Sequence, residues 1–203
     1  MSAPESSLPV AGTVVLLRDA EPGFEVLLIR RPDRGSFAGA WVFPGGKVEP
    51  GDLRDGAIEV EDARRAAIRE TFEEVGLTVA DLTVLSEWRP PIEAPTRIRT
   101  WFFLAEAPKE EPSPAVDEVA EIAWLSPSAA LARHGAGEWT LYPPTWITLH
   151  QLSAFADTGA VLASGGVAQL FQTRVRRSDA GQAFAWAHGR LEAGVLPWRF
   201  VAD

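Results

Sequence analysis

Apolar residues fall into short blocks along this chain, and the period changes from block to block. "AGTVVLLRD" (11–19) and "FEVLLIRRP" (24–32) are near-continuous runs of Val, Leu and Ile around a Pro22-Gly23 turn, and predict two strands. "RGSFAGAWVFPGGKVEPGD" (34–52) reads as loop, short strand and a loop rich in glycine and proline. A helical period starts near Glu61-Asp62, with Asp62 as N-cap. It carries Ala63, Ala66 and Ala67 and stops at Gly76. "LTVADLTVLSEWRPP", "TRIRTWFFLAEAP" and "EVAEIAWLSP" predict further strands, the second alternating around Ile98, Trp101 and Phe103. "SPSAALARHG" predicts a short helix capped by Ser126 or Ser128. From about Pro143, "PPTWITLHQLSAFA" places Trp146, Leu149, Leu152 and Phe155 at helical spacing behind a proline start. The expected organisation is an α/β core over residues 8–128 and a mostly helical C-terminal extension over 129–203, packed on the core.

One helical stretch is chemically unusual. In "AIRETFEEVG" (67–76), Glu70, Glu73 and Glu74 stand at i, i+3 and i+4 and share a face. Like charges at that spacing repel, and Arg69, four residues before Glu73, offsets only part of this. An acidic helix face is commonly just solvated surface. The alternative is a site for a hard divalent cation, which takes oxygen ligands from carboxylates, carbonyls and water. Upstream, Pro44 and the pair Gly45-Gly46 end a strand, and paired glycines let backbone approach a ligand closely. A strand, a Gly-Gly loop and a carboxylate helix together suit a cradle for metal and diphosphate.

Composition narrows the field. Of 203 residues, 46% are hydrophobic and 23% charged, which is ordinary for a globular protein. A net charge of −9 repels nucleic acid and anionic membranes, so neither is expected as a partner. The absence of cysteine excludes disulfides, thiolate zinc sites and a cysteine nucleophile, and fits a cytoplasmic protein. The first 20 residues show no secretory leader pattern, no run approaches a membrane helix, and "RFVAD" at the end is no peroxisomal address.

Taken together, these residues resemble the Nudix hydrolase family, whose signature is G-x5-E-x7-R-E-U-x-E-E-x-G-U with U aliphatic. Gly46 opens it and "RETFEEVGL" closes it, with Thr71 in place of the usual aliphatic residue. Asp52 stands where the first acid is expected, but 16 residues then separate it from Arg69 where the signature has 7. Counted back from Arg69, Glu61 has the required spacing, so either acid can fill that role. The resemblance implies an α/β/α sandwich with a mixed sheet.

It also implies roles. Glu70, Glu73 and Glu74 would bind Mg²⁺ or Mn²⁺, with the Gly45 carbonyl as a further ligand and Arg69 orienting the carboxylates. Glu70 is the first choice of general base. Some members take the base from a later loop, where Glu118 is the candidate and Glu121 the second. Arg30, Arg31 and Lys47 flank the glycine loop and can meet substrate phosphates; Arg34 also lies there. Trp41 and Trp101 can stack on a base, although aromatics are more often core. His134, His150 and His188 show no ligand spacing and are read as structural. The residues splitting the signature resemble a branch that includes peroxisomal coenzyme A diphosphatases, as do "AIRETFEEVG" and "LYPPTW". That branch implies hydrolysis of coenzyme A or acyl-coenzyme A to 4′-phosphopantetheine and adenosine 3′,5′-bisphosphate. Alternatives are a pyrophosphatase for ADP-ribose, NADH or a nucleotide sugar, and a nucleotide-binding module without catalysis, against which the intact glutamate set argues. Many Nudix proteins pair, so a homodimer is an expectation the resemblance carries.

Overall fold

A computed structural model describes residues 8–35, 37–178 and 181–203. The start of the chain, read above for a leader, and Ser36 of the loop before the glycine pair lie outside the described residues. An eight-stranded sheet forms the centre. Its order is β3(Trp41–Val42), β2(Phe24–Arg30), β1(Val10–Asp19), β6(Arg99–Glu106), β5(Thr83–Arg89), β8(Gln169–Gln172). Two strands branch from this path: β4(Gly45–Lys47) pairs with β1, and β7(Glu121–Leu125) with β2. β1–β6 and β5–β8 are parallel and the other pairs antiparallel, so the sheet is mixed.

The continuous apolar runs have a simple cause: both faces of the sheet are covered. Val14, Leu16, Leu27, Ile29, Phe103 and Ala105 face one way, with Ala63 and Ala67 of α1(Glu59–Val75). Their alternating neighbours Val15, Leu17, Val26, Leu28, Phe102 and Leu104 face the other way, onto α2(Pro127–Gly135), α3(Pro143–Leu152) and the C-terminal strands. Trp41 belongs to this second layer, stacked on Trp139 with ring centroids 3.8 Å apart, and is core. Trp101 is half-buried, and its indole donates to Glu59 at 3.0 Å.

Two expectations need correction. α1 begins at Glu59, with Ile58 rather than Asp62 at the N-cap. Asp62 instead lies in the first turn and pairs with Arg65, while Arg99 and Trp101 hold Glu59. Acids in a first turn favour the helix N-terminus, so the start moves one turn upstream. The extension is also not mostly helical. After α2, α3 and α4(Thr158–Ala163) the chain becomes strand. β8 joins the central sheet, and β9(Arg174–Ser178), β10(Gly181–Trp186), β11(Gly189–Glu192) and β12(Arg199–Ala202) form a separate antiparallel sheet. Its apolar residues alternate, with Phe184, Trp186, Leu191 and Phe200 turned to the core. This is a strand period, carried by segments of four to six residues, too short for a period to show in the sequence.

α1 lies unusually close to β1. A Cβ on Gly12 would sit 1.9 Å from the Ala63 carbonyl oxygen and 2.9 Å from the Ala67 Cβ. Glycine on the strand and alanine on the helix thus set the depth of the helix. Gly12→Ala is expected to destabilise the fold by about 2 kcal/mol or more, because backbone has to move. Gly51→Ala, where a Cβ meets nothing within 4 Å, serves as the control and should change stability by less than about 0.5 kcal/mol. Urea denaturation of both variants measures the difference.

Candidate metal centre

Glu74 is the most deeply placed acid of the cluster, with no exposed surface. It survives there because both oxygens have partners. Oε2 accepts from the Gly45 N–H at 2.9 Å, and Oε1 from Arg31, at the end of β2, at 2.6 Å. Burial nevertheless outweighs these partners, and its pKa is pushed up to about 7, with the neighbouring Glu70 and Glu118 carboxylates adding to the rise. Glu70 is raised above the usual carboxylate range for the same first reason, burial, while its bond to Arg69 opposes the shift.

Arg69 organises the outer side. It donates to Asp52 at 2.9 and 3.2 Å, to Glu70 at 3.0 Å, to Glu73 at 2.8 Å and to the Lys47 carbonyl at 3.0 Å. Asp52 is almost fully buried. Burial works against its charge, but the Arg69 bonds and the Glu49 N–H prevail and hold it below the usual range. The ambiguity left by the split signature is thereby resolved geometrically: Asp52 meets Arg69, whereas Glu61 pairs with Arg64 at 3.3 Å. The intervening residues form a turn and the first turns of α1, and leave the carboxylates in register. Thr71, the departure inside the motif, is buried, with its hydroxyl satisfied by the Ala67 carbonyl at 2.7 Å.

The loop between β6 and β7 brings in the remaining acid. It is fastened to the C-terminus of α1 by Ser113 N–H to Val75 O at 2.8 Å and Ala115 N–H to Glu74 O at 2.9 Å. These bonds satisfy helix-end carbonyls that have no intrahelical donor. Gly76, in the left-handed conformation at φ 70°, ends the helix there. Glu118 consequently lies with Glu70 and Glu74, one carboxylate oxygen from each falling within 4.8 Å of the others. Among the described residues this is the one such acid group.

Some candidates lie elsewhere. Glu73 is exposed and engaged with Arg69 rather than gathered with this trio. Glu121 pairs with Arg30, which also holds Asp33. Arg34 donates to the Asp117 carbonyl, and the Lys47 side chain is exposed. Arg31, read as a phosphate contact, is spent on Glu74 in this arrangement. No spacing rule in the sequence could have paired residues so far apart in the chain. Gly45 meets the site through its N–H. His134 and His150 lie in α2 and α3, with burial lowering the pKa of each, so they are neutral packing residues.

The donor set suits a hard divalent cation. Three carboxylates gathered this closely, two with raised pKa values, are in mutual repulsion that a cation would relieve. The backbone is also cut to fit. A Cβ on Gly46 would lie 2.2–2.5 Å from the Glu70 carboxyl atoms, so only glycine admits that carboxylate.

Comparison with known proteins identifies the family and the fold. A family model described as NUDIX domain matches residues 8–144. A Mycobacterium tuberculosis protein, provisionally assigned as 8-oxo-dGTP diphosphatase 2, is 39% identical over 79 residues, which are 39% of this chain and 45% of that protein. The chain therefore spans about half the length of that relative. The CTP pyrophosphohydrolase of Escherichia coli is 32% identical over 109 residues, covering 53% of this chain and 70% of that one. The crystal structure of a NUDIX hydrolase from Alicyclobacillus acidocaldarius superposes with a TM-score of 0.69 at 22% identity, over 77% of this chain and 96% of the other, a likeness of fold.

Two outcomes test the centre. Glu74 has a folded-state pKa near 7, above its unfolded value of 4.5, so its protonated form is favoured by folding. That contribution is complete below about pH 4.5 and is lost as pH rises through about 7, roughly 3 kcal/mol in total. Melting curves in chelator should show wild type losing stability from pH 5 to 8 relative to Glu74→Gln; parallel curves would contradict the assignment. Gly46→Ala should weaken Mn²⁺ binding about tenfold or more, measured by calorimetry, through displacement of Glu70.

Proposed function

This chain belongs to the Nudix family, and on that premise we propose that it hydrolyses the diphosphate linkage of a nucleoside diphosphate derivative, using Mg²⁺ or Mn²⁺. The observation that carries the reading is the gathering of Glu70, Glu74 and Glu118 beside the Gly45-Gly46 backbone. Glu70, Glu74 and Glu118 would hold the cation. Glu73 would join them by exchanging Arg69 for the metal. When bound, a divalent cation supplies positive charge against the phosphoryl oxygens.

The chain's own groups divide the remaining work. Glu74 has both oxygens committed to Gly45 and Arg31, which suits a fixed ligand. Glu70 is assigned as general base. One of its oxygens is held by Arg69, the other would serve both the cation and the attacking water, and burial raises its affinity for a proton. Glu118 is exposed on its loop and is the second candidate for that step. Arg69 keeps the acids aligned and is in turn fixed by Asp52. Lys47, exposed beside the glycine loop, is the cation assigned to substrate phosphates, and Arg30 and Arg31 would reach them only by leaving Glu121, Asp33 and Glu74.

Coenzyme A or acyl-coenzyme A is the substrate proposed, giving 4′-phosphopantetheine and adenosine 3′,5′-bisphosphate. Support comes from the residues that split the signature and from the "LYPPTW" segment that leads into α3. A second reading, a nucleotide pyrophosphohydrolase, is favoured by the names of the two sequence relatives, which concern 8-oxo-dGTP and CTP. ADP-ribose, NADH and nucleotide sugars belong to the same chemical class. No helix among the described residues is long and apolar enough to cross a membrane. Residues 8–128 are proposed as the catalytic unit, working as a cytoplasmic enzyme and pairing as a homodimer.

The deciding measurement is turnover with Mg²⁺ or Mn²⁺ on coenzyme A, acetyl-coenzyme A, NADH, ADP-ribose, a nucleotide sugar, CTP and 8-oxo-dGTP. Coenzyme A is expected to be cleaved fastest. Turnover of CTP or ADP-ribose without coenzyme A would overturn the coenzyme A assignment, and no turnover at all would overturn the enzymatic reading. Glu70→Gln and Glu74→Gln are each expected to lower kcat by about 100-fold or more with the fold intact.

A further inference from the structure

The C-terminal sheet has an outer face that neither the core nor the carboxylate centre uses. Cross-strand register places Arg176, Ala183, Glu192 and Arg199 in one row across β9, β10, β11 and β12. The next row on the same face runs Arg174, Ala185, Arg190 and Val201. Both positions on β10 are alanine. Ala183 forms the floor, Ala185 being buried, and arginines on either side form walls, with β9 and β11 roughly 10 Å apart. A cavity of about 420 Å³ lies here, lined by Arg176, Arg177, Gln182, Arg190, Glu192 and Arg199. That volume falls in the ordinary range for small-molecule sites.

The charge of this trough runs against that of the chain. Net charge is −9, yet the walls are arginine, with Glu192 the single acid among the lining residues. Glu192 accepts from Arg199 at 2.7 and 3.2 Å and from Arg190 at 3.1 Å, so it already shows how an anion is received. Arg199, then Arg190, hold its carboxyl below the usual range, the mark of a locally positive potential. Guanidinium forks match phosphate oxygens two at a time. The trough is also separated from the carboxylates by the layers of the fold: α1 covers one face of the central sheet, and the C-terminal sheet packs over the other through Trp186 and Leu191.

We infer that the outer face of the C-terminal sheet is a second anion site, which takes a small phosphorylated molecule between Arg176 on β9 and Arg190 and Arg199 on β11 and β12. A concave, alanine-floored trough suits a compact ligand rather than a flat polyanion, and the overall negative charge opposes nucleic acid. The site stands independently of the reaction catalysed at the carboxylates.

Inorganic pyrophosphate is the probe, titrated calorimetrically into the metal-free full chain in chelator at low salt, where the uncompensated carboxylates repel it. Saturable binding is expected. The Arg176→Ala, Arg190→Ala double variant should weaken it about tenfold or more, and Glu192→Gln should strengthen it by removing the competing carboxylate. Glu74→Gln should leave it unchanged. Arg176→Glu, at an exposed position, provides a second test should the double variant fold poorly, and should weaken binding at least as much as loss of one guanidinium. Absence of saturable binding to wild type, equal binding by the arginine variants, or loss in Glu74→Gln would each overturn the assignment. A short DNA duplex that binds more tightly than pyrophosphate would overturn the small-ligand form of it.

Discussion

Glu74 has no contact with solvent, and three parts of the chain converge on its carboxylate: α1 carries it, β4 offers the Gly45 N–H, and the end of β2 supplies Arg31. Burying a carboxylate is costly unless its oxygens are matched. Even with two donors in place, desolvation still dominates its protonation. The fold therefore holds a group in tension at the point where helix, sheet and glycine loop meet. A cation arriving there would relieve burial and repulsion together, which explains why the acids are tolerated so close to one another.

The surroundings follow from keeping that meeting point tight. Gly12 lets α1 sink onto β1, and Gly46 lets the Glu70 carboxylate touch backbone. Asp52 locks Arg69, and Arg69 spans Glu70 and Glu73. The additional residues between Asp52 and the motif helix extend α1 toward its N-terminus, where Arg99 and Trp101 grip Glu59, so the far end stays undisturbed. The β6–β7 loop uses its own N–H groups to close the helix C-terminus, and in doing so carries Glu118 to the same place.

The C-terminal strands show a different economy of charge. Their inner residues complete the second core layer, with Trp186 set edge-on to Trp88 at 5.6 Å between ring centroids. Their outer residues gather arginine on a chain that is otherwise acidic. The two requirements do not conflict, because successive strand residues point to opposite faces.

Much of this was legible in local spacing. The i, i+3, i+4 arrangement of Glu70, Glu73 and Glu74, the helix-stopping Gly76, the Ser126 cap and the double-sided apolar runs of β1 and β2 all reflect chain neighbours, and short-range geometry decides them. The motif likewise carried the family. What could not be read was set by groups distant in sequence that meet only when the chain closes. Asp52 and Glu61 have equal claims by counting, and only the packing of α1 on the sheet brings Asp52 to Arg69. Arg31 reads as a phosphate contact until Glu74 is found beneath it. The extension reads as helix from its tryptophan-bearing start, yet its later segments are strands. Strands of four to six residues carry little local preference, and pairing between strands with burial of alternate residues decides the outcome. Residue spacing determined which carboxylates share a helix face; the tertiary structure decided which of them gather and which pair elsewhere, because burial and long-range pairing, not sequence distance, place each side chain.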